Sequence, residues 1–146
     1  MVFVSIDPGI TTGLCVSTLN LDKELTVFPD QQQLTHAGLY QWILRWAPDY
    51  VICEDFEYRP GEARPAVVLY PLELIGVVEY YCQTSHIKLA RQKASEGKGY
   101  YTNDKLKDLD IYAPAIPHGM DAVRHMMHWF TFKEGFKYKY ERVVLI

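Results

Sequence analysis

The sequence predicts an α/β fold with a mixed five-stranded sheet, three antiparallel strands followed by two parallel ones, flanked by helices. Three observations predict it. The first 17 residues read as a hairpin: an apolar run Met1–Ile6 ends on Asp7, turns through Pro8-Gly9-Ile10-Thr11-Thr12-Gly13, and re-enters an apolar run at Leu14. Two later apolar runs, near 50–54 and 87–90, are separated by a long helical segment, which makes them parallel neighbours. The 146 residues suffice for one well-buried domain spanning 1–146 and not for two.

Taken in order, strand one covers about 2–7, strand two about 13–19, and Leu25–Phe28 supplies strand three. Thr35 is placed to cap a helix over about 36–47, in which Leu39, Trp42, Ile43 and Trp46 form an apolar stripe at helical spacing. Pro48-Asp49 stops it, and Tyr50–Glu54 is a short buried strand. After a polar loop from Tyr58 to Arg64, a long apolar helix runs from about Ala66 to Cys82, and strand five covers Ile87–Ala90. The stretch Arg91–Tyr101 is rich in Gly and Lys and reads as a mobile exit. Thr102 caps a short helix from Asn103 to about Leu109, and Pro117 opens a final helix to about Phe132. This order, βββαβαβαα, is that of the RNase H-like fold.

Composition limits the function classes. No apolar run reaches the roughly 20 residues that cross a bilayer, and MVFVSIDPG lacks the basic start of a signal peptide. Cys15, Cys53 and Cys82 are widely spaced in apolar patterns and read as reduced core cysteines, not as a zinc cluster. The expectation is a cytosolic chain with no membrane partner. The net charge of −3 is uneven: residues 1–84 carry four basic against eleven acidic side chains, and residues 85–146 eleven against seven. An acidic first half accommodates metal ions, and basic clusters in the second half can meet phosphates, although charge runs alone are usually solvated faces.

The acids that matter can be placed on this fold. Asp7 ends strand one, and Glu54 ends the strand expected to lie parallel beside it; ligand sites gather outside such carboxyl ends. Asp7 could also merely cap its own turn. Asp55 competes with Glu54, but side chains alternate along a strand, so only one can face Asp7. Residue count from the strand start and the motif CEDF at 53–56 agree on Glu54. The last helix begins Pro117-His118-Gly119-Met120-Asp121, and His118 and Asp121 share its first turn. Asp7, Glu54 and Asp121 with His118 thus converge, and such a cluster can hold two divalent ions about 4 Å apart that activate water against a phosphodiester. A neutral imidazole at 118 can ligate a metal or accept a proton, or be only a helix-start residue. His125 and His128 continue the same face. Hard Mg²⁺ suits the acids better than zinc, which leaves His125 a supporting or packing role.

IDPGITTG at 6–13, CEDF at 53–56, RQKASEGKGYYTNDKLKDLDIY at 91–112 and HGMDAVRH at 118–125 stand in order along the chain. In these four stretches the chain resembles the RuvC-like Holliday-junction resolvases, especially their small phage-encoded members. The resemblance implies a homodimeric endonuclease that uses two Mg²⁺ ions, replaceable by Mn²⁺, to nick branched DNA, four-way junctions above all. It also implies that Asp7, Glu54, His118 and Asp121 are the catalytic and metal-holding residues. Related enzymes carry either aspartate or histidine where His118 stands. Arg91, Lys93, Lys98 and Lys105, on segments leading toward the site, are the expected phosphate contacts. Phe56 and Tyr58 are expected to stack on unpaired bases, with a dimer contact as the alternative. The rival readings are an RNase H-like nuclease acting on RNA or RNA–DNA hybrid, and a catalytically silent nucleic-acid-binding subunit. A phosphate-cradling ATPase of the actin type would need a second domain.

Overall fold

The structure, a computed structural model, describes residues 1–57, 61 and 65–146, and the side chains of all of these except 65–68. Among them the sheet has six strands: β1 (Val2–Asp7), β2 (Thr12–Leu19), β3 (Glu24–Gln32), β4 (Tyr50–Glu54), β5 (Lys88–Gln92) and β6 (Arg142–Leu145). They lie in the order β5-β4-β1-β2-β3-β6, with β2 antiparallel to both its neighbours and every other pairing parallel. The helices are α1 (His36–Trp46), α2 (Pro65–Ser85), α3 (Ala94–Tyr100), α4 (Asn103–Asp108) and α5 (Pro117–Phe132). The mixed sheet and flanking helices are those expected, with one strand more.

That sixth strand corrects the five-stranded expectation. Arg142–Leu145 pairs in parallel with Glu24–Val27, which makes β6 an edge strand joined to a partner more than a hundred residues away. Arg91–Tyr101 also departs from the mobile exit expected. Residues 94–100 are helical, and the Glu96 side chain accepts from the Lys93 backbone N–H at 2.7 Å to secure the first turn. The caps at Thr35 and Thr102 form as anticipated, each hydroxyl accepting from the N–H three residues on.

Strand alternation sorts the apolar side chains into two layers. Phe3, Cys15, Tyr50 and Ile52 pack under α5 with Trp129 and Phe130, while Val4, Ile6, Val51 and Cys53 pack under α1 and α2. On the α5 side Phe3 meets the Phe130 ring edge-on at 4.9 Å, and Trp129 is fully buried. Truncating such a Trp costs about 3–5 kcal/mol, so α5 is firmly fixed to the sheet it crosses. The three cysteines are buried and unpaired with one another, as their apolar setting predicts. No helix of the described residues is long and apolar enough to cross a membrane.

Candidate active site

Parity decides which carboxylates meet. Asp7 shares the α5 face with Phe3 and Ser5. β4 is parallel to β1 with Phe3 opposite Tyr50 and Ser5 opposite Ile52, which puts Glu54 beside Asp7 on that face. One strand further, Gln92 stands opposite Glu54. Asp55 falls on the other face, where Arg91 of β5 donates to it and to Glu79 of α2. Arg91 is therefore engaged in an ion-pair triad away from the acids.

The first turn of α5 completes the cluster because it lies directly on β2. A Cβ at Gly13 would sit 1.9 Å from the His118 carbonyl oxygen and 3.2 Å from the Asp7 Cβ, so only glycine permits this approach. The helix lacks a capping side chain of its own at Ile116; the Gln31 side chain accepts instead from the His118 N–H at 3.0 Å. The result brings ligand atoms of Asp7, His118 and Asp121 within 4.8 Å of one another. Glu54 stands at the edge of this trio, its Oε2 held 2.7 Å from His125 Nε2 and 3.0 Å from Lys98 Nζ.

Three further residues hold the arrangement. Lys98, expected on the approach to the site, is at its centre, with its Nζ also 3.4 Å from Asp121 and 3.6 Å from Asp7. Arg124 donates to Asp121 Oδ1 at 2.9 Å while anchoring to the Tyr101 carbonyl and the Asn103 side chain. His125, wholly buried, joins Glu54 to Gln92. Arg124 and Gln92 were absent from the sequence-derived set. The i, i+3 spacing from Asp121 and the strand parity of β5 are the signals that point to them.

The electrostatics are those of crowded acids. Burial, together with the Glu54 charge, pushes the Asp7 carboxyl up to about 8. Burial also opposes ionisation of Glu54, yet hydrogen bonds from His125 and Asp7 and the Lys98 charge bring it to about 2. Lys98 is held above its ordinary value, the three carboxylates outweighing its partial burial. Adjacent buried carboxylates resist joint ionisation unless a cation joins them. An oxygen-rich donor set with one imidazole, at this spacing, fits hard divalent ions.

The acids line a cleft of about 540 Å³ whose other walls include Pro8–Thr11, Phe56, Pro71 and Lys98. Phe56 lines this cleft, while Tyr58 lies outside the described residues. Lys93 and Lys105 are exposed, Lys93 3.9 Å from Glu57 and Lys105 over the ring of Tyr100. His128 does not join the acids; it packs on Phe132, and the four-residue face 118, 121, 125, 128 forms no zinc site among the described residues.

No family model matches the sequence, and no curated protein matches it. Solved structures do. Thermus thermophilus RuvC in complex with a Holliday junction substrate superposes with a TM-score of 0.67 at 19% identity, covering 96% of this chain and 98% of that one. The fold is that of RuvC. A second T. thermophilus RuvC structure agrees at TM-score 0.66, 16% identity and coverage of 96% and 99%. The yeast mitochondrial Holliday junction resolvase Ydc2 superposes at 0.51 and 14% identity over 98% of this chain, which spans 63% of that longer protein.

Proposed function

We propose that this protein is a divalent-metal-dependent, structure-selective endonuclease that nicks branched DNA, four-way junctions in particular. The observation that supports this most is the meeting of Asp7, Glu54, His118 and Asp121 at the carboxyl end of a RuvC-like sheet, in a cleft with a lysine at its centre. RuvC is itself known in complex with a Holliday junction.

Asp7, Asp121, His118 and Glu54 would hold two Mg²⁺ ions, or Mn²⁺ in their place. Ions so bound supply an activated water and stabilise the leaving oxygen of a phosphodiester. The protein groups around them have separable tasks. Arg124 fixes one oxygen of Asp121, which leaves the other toward the cleft. The Lys98 ammonium places positive charge where a scissile phosphate approaches the acids. A ring nitrogen of His118, exposed at the start of α5, is able to ligate or to accept a proton from water. Phe56 offers an aromatic wall for an unpaired base. Lys93 and Lys105 remain available to phosphates, whereas Arg91 would first have to leave Asp55 and Glu79.

A homodimer would place two such sites across one junction. Leu69, Leu72 and Tyr80 leave an apolar stripe exposed along α2, opposite the buried Leu74, Ile75 and Val78. That stripe is the surface on which a second copy would pack.

Cleavage of a labelled four-way junction beside matched duplex, flap and RNA–DNA hybrid, with and without Mg²⁺, tests the reading. Mg²⁺-dependent nicks confined to the junction support it. Selective cutting of the hybrid would make the protein an RNase H-like ribonuclease, and no cutting of any substrate would make it a binding subunit.

A further inference from the structure

We propose that Gln92 and His125 form a buried hydrogen-bonded bridge that aims Glu54 at the metal site, and that both are positioning residues. This rests on the nuclease reading, because Glu54 matters only if the acids hold ions.

His125 is 0% exposed, and its two ring nitrogens are both committed: Nε2 lies 2.7 Å from Glu54 Oε2, and Nδ1 lies 2.9 Å from the Gln92 side-chain amide. An ionised carboxylate only accepts, so Nε2 carries the proton and donates. The Gln92 amide can meet Nδ1 with either end. Gln92 Oε1 is the end placed against Nδ1; turning the amide over presents Nε2 there instead and gives that buried nitrogen the partner it otherwise lacks. Gln92 is itself 2% exposed, at the end of β5, and is as fixed as the strand that carries it.

The bridge is also clamped from outside. A Cβ on Gly97 would come within 2.8 Å of His125 Nδ1 and 3.0 Å of its backbone nitrogen. α3 therefore lies against the imidazole, leaving it no room to swing, and the same helix delivers Lys98 to the same Glu54 oxygen. One oxygen of Glu54 is consequently held by His125 and Lys98. Metal-binding carboxylates held this way lose about 10–100-fold in metal affinity or activity when the supporting group is removed.

The bland alternative is a histidine that only fills the core. Titration of DNA-free protein with Mn²⁺, followed by electron paramagnetic resonance, separates the two. His125→Leu fills the space without a donor and is expected to lose about 10–100-fold in Mn²⁺ affinity. His125→Gln retains an N–H able to reach Glu54 and should recover most of that loss. Gln92→Leu keeps the ring but frees it, and should fall between them. Far-UV circular dichroism reports folding of each variant. A folded His125→Leu with wild-type Mn²⁺ affinity overturns the proposal, as does a His125→Gln no better than His125→Leu. If His125→Leu fails to fold, an unchanged Mn²⁺ affinity in Gln92→Leu overturns it equally. Because DNA is absent, a protein whose Mn²⁺ affinity depends on His125 as described, yet which cuts no junction, would sink the nuclease reading and leave the bridge standing.

Discussion

The Lys98 Nζ lies 3.0 Å from Glu54 Oε2, so an ammonium occupies the middle of the acidic cluster and not its rim. The same nitrogen reaches Asp121 and Asp7 at 3.4 and 3.6 Å. A residue so placed balances the acids when no divalent ion does, and on the proposed reading would face the substrate phosphate when one is bound.

Lys98→Met should therefore destabilise the metal-free protein. The side chain is 36% exposed, so screening limits the effect to about 1 kcal/mol. Mg²⁺ should narrow the gap, since it supplies the missing charge, while cleavage should remain strongly reduced. Thermal melts with and without Mg²⁺ read this directly. A variant with unaltered melting and cleavage would return Lys98 to the solvent.

Asp7→Asn should do the opposite to stability. The Asp7 carboxyl is raised to about 8 by burial and by Glu54, so the folded state holds a proton that the unfolded state releases near pH 4. The wild-type stability linked to this group is complete below about pH 4 and is lost as pH rises through about 8. The amide has no such dependence. Metal-free Asp7→Asn should thus be more stable than wild type by about 1–3 kcal/mol at pH 8 and nearly equal to it at pH 4, with cleavage abolished. Urea melts at the two pH values check the sign.

The neighbours Glu54 and Asp55 should separate cleanly. Glu54→Gln removes charge from the cluster and should eliminate cleavage. Asp55→Asn loosens the ion pair with Arg91 on the opposite face and keeps an oxygen to accept from the Phe56 N–H, so it should cut junctions at near wild-type rate. The reverse pattern would place the active acid on the α2 side of the sheet.

His118 and its seating give a further pair of outcomes. His118→Ala should lower cleavage strongly, and His118→Asp should restore part of it by returning an oxygen ligand. Gly13→Ala should act through the same residue, because its new Cβ collides with the His118 carbonyl and must displace the start of α5. A loss of about 1–3 kcal/mol, typical of overpacking, is expected alongside lost cleavage. Rates of His118→Ala matching wild type between pH 6 and 9 would reduce His118 to a helix-start residue.

The acids were legible in the sequence because each lies where a local rule is strong. Asp7 and Glu54 end apolar strands whose alternation fixes their face, and Pro117 marks the start of the helix carrying His118 and Asp121. β6 was not legible, since a four-residue run near the chain's end is defined by a partner at Glu24–Val27 and not by its own pattern. α3 was hidden for a different reason. Gly97 and Gly99 suggest freedom, but Gly97 is there for its close approach to His125, a long-range contact that no local window contains. With α3 unseen, Lys98 could be placed on the path to the site and not within it. Arg91 shows the converse: its charge was visible in the sequence, its commitment to Asp55 and Glu79 was not.

The central claim is that these converging side chains cut branched DNA. The most direct measurement is cleavage of an end-labelled four-way junction in Mg²⁺ by the wild type and by Asp121→Asn, with junction binding followed in parallel. The account predicts paired nicks at the branch from the wild type, and binding without cleavage from Asp121→Asn. A wild type that leaves the junction intact, or an Asp121→Asn variant that cuts it at near wild-type rate, would contradict it.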